Sequence, residues 1–481
     1  MASSKVFSGV MWASAQRFGT MIISFVTNIV LARLLAPEDF GTIGMLLLFL
    51  AIANTFVDSG FGSALIQKKD ANQTDFSTVF FINLALSLFV YAILYICAPW
   101  VARFYDVSIL CPLLRAQGII LILHAFSIIQ TAILRKKMDF RKLSECNLIG
   151  NIIGSIVGIG AALMGMGVWS LVIRTLTVGF ITSLLLWIIG NWKPLLVFSI
   201  QSFKELFGFG GFMLLSSLLA TFANNVQTLI IGKMFQQSSL GHYTQARQLR
   251  NIASDSISSV ITQVLYPDFS NNQNDDKTLS SRLNFSILTI SFVTVAIMAT
   301  CIVAANPLIL MLYGGKWVDC VPYFQLLCIG GCFVSLQDVN SNLVAAKGKS
   351  KVLFFCNLCK IVFFCFLMIG GAKVGGIYGL LISMIIYAFI AYLVFASLSS
   401  YYLRSNIWGQ LWGILQCLLL ASIPMAITYL ISYYFLLNMP NIVQVIIDVL
   451  TFGIVYLLIA FFVKNKAFLY LWGMLHRKKN G

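Results

Sequence analysis

Charge is what this 481-residue chain has least of: Asp, Glu, Lys and Arg together make up 10% of it. Soluble domains carry roughly a quarter charged residues, so too little is present here to solvate a set of globular surfaces. Histidine is nearly missing. His124, His242 and His476 are the full complement, and no acidic cluster stands beside them at catalytic or metal-ligand spacing. Asp275 and Asp276 fall in the polar run SNNQNDDKT, which reads as a solvated loop and not as half of a magnesium motif. Long polar connections are lacking too: none exceeds about 20 residues, well short of what folds alone. The 11 cysteines show no paired framework; Cys97, Cys301, Cys328, Cys332 and Cys365 sit in apolar runs, where cysteine is a small hydrophobe. Cys356 and Cys359 have zinc-like spacing but no further ligand near them. These absences exclude large soluble enzyme domains, nucleic-acid-binding modules and disulfide-stapled secreted scaffolds. They leave no catalytic residue, metal site or cofactor to nominate.

What is abundant is apolar sequence, at 59% of residues and a mean hydropathy of +0.90. At about 20 residues per membrane-spanning helix this suffices for about fourteen spans. Segments of that length lie near 10–32, 40–62, 77–99, 112–133, 147–165, 167–189, 207–231, 249–270, 284–305, 321–343, 353–371, 375–397, 411–434 and 442–463. In lipid only helices satisfy the backbone over such lengths. The net charge of +16 distributes as membrane topology expects. With the N-terminus inside, 21 basic residues fall in cytoplasmic loops and tails against 8 on the other face, which places both termini in the cytoplasm. Trp12, Trp100, Trp192, Trp317, Trp408 and Trp472 fall near span ends, where interfacial anchors are expected.

The two halves resemble each other in register. At an offset of 200, NIVLARLLAPEDFGTIG (28–44) faces TLIIGKMFQQSSLGHYT (228–244), pairing Arg33 with Lys233 and Gly41 with Gly241. At 208, Pro99 and Tyr105 pair with Pro307 and Tyr313; at 210, Pro112 and Asn147 pair with Pro322 and Asn357; at 209, GVWSL (167–171) faces GIYGL (376–380). This collinear series predicts an all-α polytopic fold with a six-helix lobe over 1–200, a second over 201–405, and an extra helical hairpin with a basic tail over 406–481. An even number of helices per copy leaves both copies the same way up, so the pseudo-two-fold runs along the membrane normal and a cleft lies at the seam.

Ionisable groups at membrane depth are expensive and commonly face a cavity or a partner. Arg17, Arg174 and Lys360 each have long apolar flanks, and with Arg250 they make a cationic lumen. Asn28, Asn224, Asn225 and Gln227 supply neutral hydrogen-bonding groups to the same cavity. Asp58 and Asp255 are the candidates for coupling to a proton or sodium ion, although Asp58 could equally end a helix. His124 reads as a helix-interface histidine, Asp448 as support for the last hairpin, and Arg115 and Arg247 as snorkelling side chains. A surplus of positive charge in a low-dielectric cleft favours anions, and arginine is suited to phosphate through paired donors.

The stretches ARLLAPEDFGTIGM (32–45), VDSGFGSALIQ (57–67), LRKKMDFRKLS (134–144), YTQARQL (243–249) and YPDFS (266–270) together resemble Wzx-type oligosaccharide flippases. More narrowly they are similar to the WzxC-like exporters of the multidrug/oligosaccharidyl-lipid/polysaccharide superfamily. The resemblance implies a MATE-like fold of 12 plus 2 helices in a bacterial inner membrane. It implies an undecaprenyl-pyrophosphate-linked oligosaccharide as substrate, moved from the cytoplasmic to the periplasmic leaflet by alternating access for lipopolysaccharide, capsule or exopolysaccharide. The implied surroundings are membrane lipids, a polysaccharide polymerase and a chain-length regulator, with the chain itself a monomer and nucleic acid no partner. Carried over, the cationic role falls to Arg17, Arg174, Arg250 and Lys360. Span 2 has no arginine, which departs from the lipid II flippase relatives. Two other readings stay open: an ion-coupled multidrug exporter, which calls for an acidic lumen, and a membrane polymerase or acyltransferase, which calls for a large loop.

Overall fold

The computed structural model describes residues 2–58, 65, 68, 72–190, 192–273, 275–436 and 438–477, and among them it contains helices and no strand. In chain order the first helices are α1 (Ala2–Leu34), α2 (Pro37–Asp58), α3 (Gln73–Tyr105), α4 (Leu110–Gln117), α5 (Ile119–Lys136), α6 (Phe140–Leu163), α7 (Trp169–Ile189) and α8 (Ile200–Met234). They continue as α9 (Gln237–Asn271), α10 (Asp276–Val303), α11 (Ala305–Tyr313), α12 (Cys320–Ala346), α13 (Ser350–Tyr402), α14 (Trp408–Ile431), α15 (Asn441–Phe462) and α16 (Lys466–Arg477). By its contacts the chain divides into two units, Met1–Gly241 and His242–Gly481.

Twelve described segments are long and apolar enough to cross a bilayer. One of them, Lys351–Tyr402, lies in α13, whose 53 residues exceed a single crossing more than twofold. Its backbone leaves the helical region at Gly375 (φ −129°) and Gly376 (φ +59°), so it is two spans in succession, as expected near 353–371 and 375–397. The span expected over 249–270 is helical, as part of α9, and the side chains of 255–264 within it lie outside the described residues.

Local chemistry sets the helix ends. Pro37 opens α2, where its missing N–H is no loss. Asn72 caps α3 by accepting from the Asp75 amide, and Asp75 returns the bond to the Asn72 amide while its other oxygen meets Lys68 at 3.0 Å. Asp275 caps α10, and the Thr278 hydroxyl and amide hold its carboxyl below the usual carboxylate range. Helix C-termini turn through left-handed residues, with paired backbone bonds that satisfy the last carbonyls. At α3 these run from Asp106 N–H to Arg103 O and from Val107 N–H to Ala102 O.

Those turns also carry the duplication. Asp106 (φ +59°) follows Tyr105, and Gly314 (φ +89°) follows Tyr313, 208 residues later. Met138 (φ +58°) and Gly348 (φ +71°) end α5 and α12 at an offset of 210. Gly167 (φ +53°), just before α7, and Gly376 (φ +59°), at the α13 break, stand 209 apart. A positive φ thus recurs at three paired positions, and at Met138 and Gly348 the two backbone bonds that close the turn recur as well. A fourth pairing is made by direct contact inside the first unit. A Cβ on Gly41 would lie 1.8 Å from the Gln237 carbonyl oxygen, and one on Gly241 would lie 1.9 Å from that of Pro37. Positions 37 and 41 exchange with 237 and 241 at the offset of 200, so the contact is self-complementary.

One tryptophan departs from expectation. Trp317 is fully buried, edge-on to His242 at 5.5 Å and tilted against Tyr313 at 5.6 Å, so it is a packing residue and not an interfacial anchor. The short 3₁₀ turn Gly315–Trp317 folds it inward. Trp100, Trp408 and Trp472 are exposed near helix ends, as anchors should be.

A close helix pairing in the first unit joins α6 to α7 through Gly150, Gly154 and Gly158, which share one face at four-residue spacing. Cβ atoms there would meet Thr182 Oγ1 at 2.1 Å, Val178 Cγ2 at 2.3 Å and Arg174 Cβ at 2.6 Å. Small residues in this arrangement let helix backbones approach where no hydrophobic drive separates them from lipid. Gly154→Leu is expected to destabilise the purified protein by about 1–3 kcal/mol, read as a lowered melting temperature. Gly160→Ala, where an added Cβ meets nothing within 4 Å, should leave it unchanged or raise it by about 0.5–1 kcal/mol.

Candidate functional site

Polar residues on six helices of the first unit enclose a cavity of about 600 Å³. His124, Ser127, Thr131 and Arg135 descend one face of α5. Asn147 and Asn151, one turn apart, contribute from α6; Arg174, Thr175 and Thr182 from α7; Asn54 from α2. Gln16 and Gln117 complete the polar part, and Leu50, Ile120 and Val178 are among its apolar walls.

The hydrogen bonds fix what each group presents. Asn54 Nδ2 donates to the Leu50 carbonyl at 3.0 Å, so its Oδ1 faces His124 Nδ1, also at 3.0 Å. His124 must therefore carry hydrogen on Nδ1 to make that bond, and a neutral ring offers Nε2 as an acceptor. Asn147 and Asn151 donate their amide nitrogens to the Leu143 and Asn147 carbonyls, at 2.8 and 2.9 Å, leaving their side-chain oxygens as acceptors. Arg174 has its stem packed against Gly158, and its Nε is buried without a hydrogen-bond partner. Gln117 Oε1 and Thr182 Oγ1 are likewise buried and unbonded. No Asp or Glu is among the lining residues. The cavity thus holds cationic donors together with amide and hydroxyl acceptors, a set matched to a phosphate bearing hydroxyl-rich groups.

Of the residues singled out in the sequence, Arg174 lines this cavity. Arg17 is exposed on α1, and its neighbour Gln16 takes the lining position. Asn28 is buried on α1. Asp58 is the exposed last residue of α2 and lies close enough to His124 for their charges to interact. On α8, Asn224 is exposed, whereas Asn225 and Gln227 donate to the carbonyls of Thr221 and Asn224 on their own helix. Thr55 and Thr221 join α2 to α8 at 2.9 Å; Thr55 already donates to Ala51, so Thr221 is the donor. In the second unit, Lys360 Nζ sits 5.1 Å above the Phe395 ring with Asp338 nearby, and the Arg250 stem packs by Gly331. The Asp255 side chain lies outside the described residues.

His124 was legible as an interface histidine, and it is one: it ties α5 to α2. Asn151, Gln117 and Thr182 were not singled out. For Asn151 a signal was present in the Asn147–Asn151 spacing, which sets two amides on one helix face.

Helices in this order and number define a multi-pass membrane transporter of MATE-like fold. Residues 30–322 match the family described as polysaccharide biosynthesis protein, and the chain belongs to that family. It is 23% identical over 422 residues to the teichuronic acid biosynthesis protein TuaB of Bacillus subtilis, covering 87% of each chain. It is 24% identical to the lipopolysaccharide biosynthesis protein WzxC of Escherichia coli, over 81% of this chain and 80% of that one. With the succinoglycan biosynthesis transport protein ExoT of Rhizobium meliloti it shares 25% identity, over 74% and 72% of the two chains. Among solved structures it is similar to the lipid II flippase MurJ in an inward closed conformation, with a TM-score of 0.74 at 16% identity, covering 95% of this chain and all of that one. It is also similar to an inward-facing multidrug resistance MATE family transporter, with a TM-score of 0.61 at 17% identity, covering 83% and 94%. At such identities these structures establish the shared fold.

The bond between Asn54 and His124 makes a spectroscopic prediction. In ¹⁵N-histidine-labelled protein, the neutral His124 ring should be protonated at Nδ1, and Asn54→Leu should release it toward the Nε2–H tautomer. An unchanged spectrum would remove Asn54 from that role.

Proposed function

We propose that this transporter of the polysaccharide biosynthesis family moves a polyprenyl-pyrophosphate-linked oligosaccharide from the cytoplasmic to the periplasmic leaflet by alternating access. The observation that carries this reading is the first unit's cavity: Arg174 is held at membrane depth with its Nε unbonded, beside amide oxygens and with no carboxylate in the lining. A phosphorylated, hydroxyl-rich headgroup cannot cross hydrocarbon unaided, and such a cavity replaces its water. A carrier of organic cations would call for acidic groups in that lining. The relatives named for lipopolysaccharide, teichuronic acid and succinoglycan biosynthesis support a surface polysaccharide as the end product.

In this reading residues 1–200 and 201–405 are the moving lobes, and 406–481 add a hairpin and tail. Arg17, Arg250 and Lys360 join Arg174 as cationic groups for the headgroup, with Asn28, Asn224, Asn225 and Gln227 serving sugar hydroxyls. Asp58 and Asp255 couple transport to a proton or sodium ion. The protein works as a non-enzymatic monomer in a bacterial inner membrane, alongside a polysaccharide polymerase and a chain-length regulator. In this reading both termini lie in the cytoplasm, which the excess of basic residues on one side supports.

Reconstituted protein should translocate a fluorescent polyprenyl-diphosphate oligosaccharide. Arg174→Gln should slow it by about 10- to 150-fold, the range for hydrogen bonds to a charged group; Arg174→Lys, which keeps the charge but not the fork, should fall between. Equal rates for all three proteins would refute the cationic role. A fluorescent protein that matures only in the cytoplasm, fused at the C-terminus, should fluoresce in cells.

A further inference from the structure

A cavity of about 710 Å³ lies in the second unit between α10, α14 and α15, at the start of α16. Its composition changes along its length. One end holds Lys464, Lys466 and Asn284; the other is walled by Leu419, Leu420 and Ile423. From Gly409 to Ile423 it follows α14 for about 21 Å at the helical rise, from the first turn of that helix toward the bilayer interior.

The lysine end is built and held. Lys464 ends α15 in the left-handed region (φ +52°), with Asn465 N–H bonded to Ala460 O at 3.0 Å. The buried Asn465 side chain then caps α16, accepting from the amides of Ala467 at 2.9 Å and Phe468 at 3.3 Å. The two lysines therefore flank one fixed turn. Both are exposed, no ion pair involves either among the described residues, and no Asp or Glu is among the lining residues. On α16, Tyr470 meets Phe285 edge-on at 4.8 Å and Phe468 stacks on Trp472 at 5.7 Å, while Leu469, Tyr470 and Trp472 remain exposed. A short helix with apolar and aromatic residues on its outer side and basic ends suits the headgroup level of a membrane.

We infer that this groove binds an anionic phospholipid of the surrounding bilayer, its phosphate at Lys464 and Lys466 and an acyl chain along Leu420 and Ile423. The gradient from cationic to apolar matches a lipid standing upright in one leaflet. The two lysines, which have no counter-ion among the described residues, select for a negative head over a zwitterionic one. Each lysine near an anionic lipid surface contributes a roughly fivefold preference, so the pair gives about thirtyfold.

The test is native mass spectrometry of the full-length purified protein titrated with phosphatidylglycerol or phosphatidylcholine. Phosphatidylglycerol should be retained and phosphatidylcholine lost. Lys464→Gln with Lys466→Gln should weaken phosphatidylglycerol by about thirtyfold at low salt and leave phosphatidylcholine unaltered. Ile423→Trp, which fills the apolar end and keeps both lysines, should also release the lipid. Equal retention of the two lipids, or undiminished phosphatidylglycerol binding by the double variant, overturns the proposal. So does displacement by an equimolar polyprenyl phosphate, which would give the groove to a transport substrate.

Discussion

The contact on which the first unit's site depends is a row of missing side chains. Gly150, Gly154 and Gly158 let α6 lie against α7 so closely that Thr182, Val178 and Arg174 occupy the space their Cβ atoms would fill. In hydrocarbon no hydrophobic force draws one apolar helix to another, so dispersion over a close backbone approach has to do it. That approach fixes where the Arg174 stem leaves α7. It also turns the next face of α6, with Asn147 and Asn151, toward the same space. Packing and cavity are two faces of one helix.

The cavity's chemistry follows from how amides behave in a helix without water. Asn54, Asn147 and Asn151 each return their N–H groups to a carbonyl four residues back. This removes donors that would otherwise be stranded and leaves oxygens facing inward. Donors in the cavity then come mainly from Arg174 and Arg135, and acceptors from amides and from hydroxyls such as Ser127 and Thr175, which donate to carbonyls of their own helices. The separation gives the site a direction: a ligand must bring negative charge to the guanidinium and hydroxyl hydrogens to the amides.

Much of the fold was legible because a bilayer imposes length. Apolar runs marked the spans, and the offsets of 200 to 210 located helix ends that share a backbone turn, as at Met138 and Gly348. The cavity was less legible for a physical reason. In helices apolar on every side, sequence gives depth but not azimuth, and successive residues differ by about 100° around the axis. Arg17 and Gln16 show the consequence: the charged residue drew notice, while its neighbour faces the space. Trp317 misled in the same way, since closeness to a span end fixes height and says nothing about facing. Arg174 was found because it is ionisable, whereas among the neutral amides Asn28 and Asn224 drew notice and Asn151, which lines the cavity, did not.

The pairing of Gly41 with Gln237 and of Gly241 with Pro37 reads the same when the two copies are swapped. That is the geometry of a symmetric dimer written into a single polypeptide. In two identical chains one altered glycine would strike such a joint twice; here each side of the joint is a separate position, so one can vary while the other stays fixed.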